Sequence, residues 1–527
     1  MPTSTAVPTA TPTPVVSAPP TGLHGGRFTT LAPANVPNLD VHREVQETLS
    51  SLGPGIAYSR LLRLRTGPED EVPQPSLRLE CDVCRSWQMV DPFTYVFQLR
   101  EGVRWQNRAP VFGRDLTAED IVYSYERQRT PGWANAALLQ DADVIETEGP
   151  GALKLTLKPG FANADFLVAL ADGHSKIVAR EVVERWDGLE HASVIGTGPW
   201  RWQSTEEDVG SVFIKNSDYF EEGLPFLDEL VIRIIRGDDK TQLAVFLTGG
   251  VDVYRISPSG WRQLSETGGD MAHSLLSRQG GSGVALTMNV SRPPFDDVQV
   301  RRAVFQAMDP WNYVRTIWGG QGFPGLGMPV HEPGWNLSME EMREPYFANP
   351  TAASSILQAS GAELPLRFEL AVADFGDIHR ELGMQVEEDL RSVGFDPFTV
   401  PVSASQYQDK VWRDKDYAMA LGDLPPTSTP NGFLLGVLYG GSPAGNVLGH
   451  SDAELDSLIL SQSVEADPSA RRDLVRELQL RVLDQAYMVT PVTTGVRWVF
   501  HPHVKGFFPN ASASEYFYWA KAWREEG

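Results

Sequence analysis

Residues 93–125 constrain the fold of this chain more than any other stretch, because a strand and a capped helix follow one another there. In FTYVFQLREGVRWQN, Tyr95, Phe97 and Leu99 alternate with Val96, Gln98 and Arg100, the period of a strand with one buried face. Gly102 permits a turn, and Val103 and Trp105 resume the extended pattern. In LTAEDIVYSYER, Thr117 and Asp120 have capping-box spacing, so hydroxyl and carboxylate can satisfy orphan amides of the first turn. Ile121, Val122 and Tyr125 then supply the buried stripe of a helix.

The same reading extends along the chain. Strands are expected at 25–29, within 77–105, and at 152–158, 212–215, 230–235, 251–253, 364–372 and 489–500. Helices are expected at 56–64, 238–247, 300–308, 311–317, 351–360, 379–393, 455–463 and 468–485. GTGPWRW, residues 196–202, is punctuated as a tight turn at a lobe boundary, and 280–289 runs from a glycine-rich break into an apolar strand, a hinge candidate. Irregular alternation of strands and helices in both halves implies α/β or α+β lobes rather than a bundle, barrel or propeller.

At 527 residues the chain is too long for one simple core and should form two or three lobes. With 68 acidic and 45 basic residues the net charge is −23, which repels phosphate backbones and argues against nucleic-acid binding. The charge serves solubility or steers a cationic solute. No apolar run is long enough to span a bilayer. The opening MPTSTAVPTATPTPVVSAPP lacks the basic and apolar regions of a signal peptide and reads as a Pro/Thr/Ala tether with a reach of about 60 Å. Such a spacer suits a lipid-anchored surface protein, with Met1 standing in place of a removed signal and anchor.

Cys81 and Cys84 are the two cysteines. With no nearby Cys or His pair a zinc site is disfavoured, and a structural disulfide in an oxidising compartment is expected, its loop too short to stabilise much. No motif of known chemistry is present: no phosphate loop, no His-Glu-x-x-His, no calcium loop. Gly440-Gly441-Ser442-Pro443-Ala444 lacks the final glycine of a nucleophile elbow, so Ser442 reads as a loop serine. His501 and His503 share a strand face and could share a metal, but Pro502 marks a strand end and two surface histidines are the simpler reading. Asp238-Asp239 and Asp296-Asp297 stand where helix capping explains them. The expectation is therefore no catalysis, no cofactor and no metal.

Six segments in order resemble the extracytoplasmic solute-binding proteins of peptide- and nickel-type ABC importers, family 5. They are FQLREGVRW with LTAEDIVYSYER, GTGPWRW, NSDYFEEGLPFLDELVIRII, LTGGVDV, and MNVSRPPFDDVQVRRAVFQAMD, and the likeness runs from about residue 25 to the end. The resemblance implies a two-lobed, hinge-linked periplasmic-binding-protein fold around a central cleft. Lobe I would comprise 23–60, 195–282 and 490–527, with 61–194 as its extra subdomain, 283–489 as lobe II and 1–22 as tether. It also implies a monomeric receptor that hands its ligand to the transmembrane subunits of an ABC permease, in the periplasm or at the cell surface.

By the same resemblance the ligand-binding residues are Val45, Gln46 and Glu47 on one segment and Gly422, Asp423 and Leu424 on another, with Tyr439, Asn446, Thr493 and Thr494 nearby. The chain departs from the peptide-binding pattern at this second segment. Asp423 stands in place of the usual tryptophan, and Pro426 falls where the amine-anchoring aspartate belongs. Asp423 either holds an ammonium or caps the turn, and Pro425-Pro426 removes two backbone donors. An oligopeptide is the expected solute; a sugar, an opine-like compound or a metal chelate is the alternative, as is a surface sensor using the same cleft.

Overall fold

The computed structural model describes residues 25–68, 70–72, 76–159, 162–266, 273–278, 283–325, 334–424, 427, 429–442 and 446–525. The tether, the glycine break at 280, Pro425-Pro426 and Pro443-Ala444 lie outside the described residues. The chain forms two compact units, Met1–Ser277 with Arg497–Gly527, and Arg278–Val496.

In the first unit the strands include β1 (Arg27–Ala32), β2 (Leu62–Leu64), β3 (Leu79–Cys81), β4 (Cys84–Asp91), β5 (Thr94–Leu99), β6 (Ala142–Thr147), β7 (Ala152–Leu157), β8 (Trp200–Glu206), β9 (Gly210–Lys215), β10 (Glu229–Ile234) and β11 (Val253–Ile256). One antiparallel sheet has the order β4-β5-β7-β6. Its β5 buries Tyr95, Phe97 and Leu99 as the alternation predicts, and helix Ala118–Gln128 lays Ile121 and Tyr125 into the same core. Asp120 caps that helix by accepting from Thr117 N at 3.0 Å and also takes Arg114 bidentately at 2.7 and 2.8 Å. The cap thereby ties the helix start to the loop beyond Trp105.

A second sheet has the order β1-β10-β9-β8, with β1 parallel to β10. The GTGPW turn leads into it and packs on Ala57: a Cβ at Gly196 would stand 2.0 Å from the Ala57 carbonyl oxygen.

The helix expected at 56–64 is not formed. A 3-10 turn, Pro54–Ala57, runs instead into β2. The reason is tertiary: the backbone there hydrogen-bonds the Cys81–Cys84 loop, with Asp82 N donating to Leu61 O at 3.2 Å and Val83 N to Arg60 O at 3.1 Å. The two cysteines are joined by a disulfide. Between them Asp82 accepts from Arg60 N at 2.8 Å.

Arg60 and Arg63 are wholly buried. Arg60 pairs with Glu515 at 2.8 Å, and Arg63 meets Glu80 at 2.7 Å, Glu221 at 2.8 Å and Asp82 at 3.4 Å. Glu515 also accepts from the backbone N–H groups of Leu64, Tyr516 and Phe517 at 2.8, 2.8 and 2.7 Å. Burial works to raise the Glu515 carboxyl, but Arg60 and these amides outweigh it and hold its pKa below the ordinary value. Removing one member of such a pair strands a buried charge. Glu515→Ala should therefore lower unfolding free energy by about 3–5 kcal/mol in urea titrations, and Arg60→Leu in the same chain should restore part of that loss.

Strand β12 (His273–Arg278) leads out of the first unit. The second unit contains β13 (Val284–Met288), β14 (Gly322–Phe323), β15 (Leu366–Ala373), β16 (Phe395–Val402), β17 (Met419–Asp423) and most of β18 (Met488–Phe500). Its sheet order is β18-β13-β17-β15-β16, parallel at β17-β15-β16 and antiparallel on either side of β13. Side-chain alternation separates two cores. Met419 and Leu421 pack with helices Val298–Ala307, Pro350–Ala359 and Asp377–Val393; Ala420 packs with Tyr407, Phe433 and helices Ala453–Val464 and Pro468–Asp484. The last residues of β18, 497–500, pair with β11 in the first unit. Among the described residues no helix is long and apolar enough to cross a membrane.

Candidate functional site

Parallel pairing places the carboxyl ends of β15, β16 and β17 along one edge of the second unit's sheet, ending at Ala373, Val402 and Asp423. This edge is where open α/β sheets present ligand sites. Val284 is in register with both Asp423 and Val492, so Thr493 follows at the same edge, where Thr493 and Thr494 pair with β14.

Alternation along β17 sends Gly422 and Asp423 to opposite faces. Gly422 faces Tyr407, and a Cβ there would stand 2.4 Å from the phenol ring. Burial raises the Tyr407 phenol well above its ordinary pKa, so it stays neutral, and its hydroxyl has no hydrogen-bond partner among the described residues. Asp423 is half exposed and accepts at Oδ1 from His379 Nε2 at 2.8 Å. Among the described residues the carboxylate meets this side chain, and Oδ2 has no partner. The Phe375 ring, 38% exposed, stands edge-on to His379 at 5.4 Å and to Tyr407 at 6.0 Å. Leu424 is buried, its N–H donating to Gly283 O at 2.9 Å.

Tyr439 and Asn446 belong to a different place. Asn446 has φ 52°, donates to His450 O at 2.8 Å and accepts from His450 N at 2.9 Å. The adjoining Val447 O accepts from Tyr417 OH at 2.8 Å, beside the amino end of β17 and away from Asp423. Tyr439 follows Leu438, whose carbonyl accepts from His450 Nε2 at 2.5 Å. The Asn446 amide therefore serves its own turn.

In the first unit, Val45 is exposed and Gln46 is the N-cap residue of the short helix Glu47–Ser50. Glu47 pairs with Arg255, whose guanidinium lies 4.7 Å over the Trp498 ring. Burial disfavours the Arg255 cation, yet Glu47 outweighs it and raises the pKa. Gln46 O accepts from His174 Nε2 at 3.3 Å, and Asp172 Oδ1 lies 2.8 Å from the other ring nitrogen. Sequence reasoning missed His379, Tyr407, Phe375 and Arg255. Arg255 alone carried a signal, a charge inside the alternating run VDVYRI.

Just before this segment, buried His42 donates from Nε2 to Lys176 O at 2.9 Å. Burial, and then the Arg127 charge, push its pKa down to about 4 from 6.5. The unfolded chain thus binds more protons between these values. His42 stability is complete above pH 6.5 and is lost as pH falls toward 4, about 3 kcal/mol in all. His42→Gln, whose amide can still donate to Lys176 O, should flatten the fall in unfolding midpoint over that window.

Among the described residues no group of three or more His, Cys, Asp or Glu side chains is placed to hold a metal. His501 Nε2 meets Phe246 O at 3.0 Å and His503 Nε2 meets Asp252 at 2.6 Å, so each ring has a protein partner. Asp238 and Asp297 cap helices, accepting from Thr241 N and Gln299 N. What the edge around Asp423 offers is binding: a carboxylate oxygen, an exposed aromatic ring and strand ends.

Residues 78–446 match the model of the bacterial extracellular solute-binding proteins, family 5. Heme-binding protein A of Haemophilus influenzae is 23% identical over 492 residues, 88% of this chain and 86% of that protein. The dipeptide-binding protein of Escherichia coli is 22% identical over 497 residues, 87% of this chain and 88% of that protein. The solved structure of HbpA2 from Haemophilus parasuis aligns with a TM-score of 0.81 at 18% identity, covering 95% of this chain and 100% of that one. That likeness identifies the fold.

Proposed function

Since the chain belongs to family 5 of the bacterial extracellular solute-binding proteins, binding proteins rather than enzymes, we propose that it captures an oligopeptide for an ABC importer and delivers it to the membrane permease. The observation that carries the peptide reading is Asp423: a half-exposed carboxylate at the sheet edge, with Oδ2 unpartnered among the described residues, bonded to a histidine that the exposed ring of Phe375 meets edge-on. A terminal ammonium and its neighbouring side chain fit that combination, the charge meeting the carboxylate and the side chain covering the ring. The dipeptide-binding relative supports the reading.

Capture is by hinge closure, and the two places where the chain passes between units, 277–278 and 496–497, are its pivots. Residues 61–194, which carry β2 to β7, are the extra subdomain of the first lobe. The protein acts as a monomer at the cell surface or in the periplasm, with residues 1–22 as the spacer to a lipid anchor. A heme or metal chelate is the second reading, favoured by the relative named heme-binding protein A.

Calorimetric titration with a panel of di- to tetrapeptides tests the proposal. Asp423→Asn should weaken binding of free-amine peptides roughly 10- to 100-fold, the loss of one charge-assisted hydrogen bond. An unchanged affinity would remove Asp423 from the site, and no heat from any peptide would remove the peptide reading.

A further inference from the structure

We infer that the first unit carries a second binding site, fitted to a single sugar ring, in a cavity lined by Trp133 and Trp186. The cavity measures about 300 Å³, at the lower end of the range for small-molecule sites, with room for one pyranose rather than a chain. All its lining residues belong to the first unit, whereas Asp423 belongs to the second. Glu47, its partner Arg255 and the Trp498 ring beneath that guanidinium do not line it either. This site is therefore independent of the peptide reading.

Backbone hydrogen bonds staple its segments together: Leu39 N donates to Glu190 O and Ala134 N to Arg43 O, both at 3.1 Å. Trp133 is the N-cap residue of the 3-10 helix Ala134–Leu139, and Trp186 ends the helix Arg180–Trp186. Asp187 follows as a left-handed C-cap at φ 53°. Buried Asp40 takes Arg127 bidentately at 2.9 and 2.5 Å, and Arg43 pairs with Glu190. The walls are thus held before any solute arrives.

Those two ion pairs neutralise themselves and leave the Asp187 carboxylate as the unpaired charge of the lining. Asp187, the His191 ring and the indole N–H groups of Trp133 and Trp186 have no hydrogen-bond partner among the described residues. An anion would meet that free carboxylate. A cation would meet Arg43 and Arg127, and each indole already has a guanidinium over it, Arg127 at 4.8 Å from Trp133 and Arg185 at 5.0 Å from Trp186. A neutral solute rich in hydroxyls suits what remains. Its O–H groups donate to Asp187 and accept from the indole N–H groups, while the C–H face of the ring covers an indole.

Saturation-transfer NMR titrations of the full chain with glucose, galactose, mannose and N-acetylglucosamine test the site. At least one should bind the wild-type protein with Kd on the order of 1 mM. Trp186→Ala and Asp187→Asn should each weaken that sugar by roughly 10-fold, and neither should alter peptide affinity. Asparagine enters the left-handed region readily, so Asp187→Asn keeps the turn and decides the matter should Trp186→Ala not fold. Asp423→Asn should leave the sugar bound as in wild type. Maltose and lactose, run alongside, separate a free sugar from the end of a glycan; refusal assigns the first, binding the second, and both uphold the class. Equal sugar affinity in wild type, Trp186→Ala and Asp187→Asn overturns the site, as does loss of the sugar in Asp423→Asn. No binding of any of the four sugars, or binding of tetramethylammonium in their place, overturns the sugar assignment while leaving the peptide reading untouched.

Discussion

Two arginines three residues apart, both sealed from solvent, hold the first unit together. Arg63 lies within the short strand β2 and Arg60 just before it, and their partners arrive from distant parts of the chain: Glu80 and Asp82 beside the disulfide, Glu221 after β9, and Glu515 near the C-terminus. Burying a guanidinium is unfavourable unless its charge is paired and its donors find acceptors, which Arg60 achieves through both terminal nitrogens, to Ala171 O and Glu515. That requirement fixes where these segments go. The disulfide acts in the same place, holding Asp82 between two cysteines while its carboxylate meets Arg60 N. The rings of Tyr516 and Phe517 lie 4.2 and 3.5 Å over Arg60 and Arg63, so the C-terminal segment supplies packing as well as charge.

The second unit is organised by a different constraint, the parity of a mixed sheet. Along β17, large residues face the helices of one layer and small ones face the other, where Tyr407 approaches too closely for any side chain at position 422. Parity then turns Asp423 toward the first turn of Asp377–Val393 and His379. The carboxylate emerges from the packing pattern of the sheet at the end where the parallel strands stop. Its chemistry follows from a neighbour donating to one oxygen and leaving the other.

Much of this was legible in the sequence where local rules decide. The alternation Tyr95, Phe97, Leu99 and the Thr117–Asp120 cap form as expected, because strand period and capping are properties of a few adjacent residues. Helices such as Pro468–Asp484 fall within a residue or so of their expected ends for the same reason. The stretch 56–64 reads as a helix yet becomes a turn and a strand, since its backbone bonds lie with residues 82 and 83 and its arginines with residue 515. Likewise Asp423 stands out as a candidate in the sequence, but its hydrogen-bond partner His379, 44 positions away, does not. Asn446 reads as a candidate contact until its amide is seen closing its own turn. Non-local partners are what sequence patterns cannot supply.

That this family-5 receptor carries a peptide is the proposal on which the reading of Asp423 depends. Native mass spectrometry of the purified protein, followed by identification of whatever is released on denaturation, tests it most directly. The account predicts a ladder of peptide masses with free amino termini. A single non-peptide mass, such as a heme or a metal chelate, would contradict it.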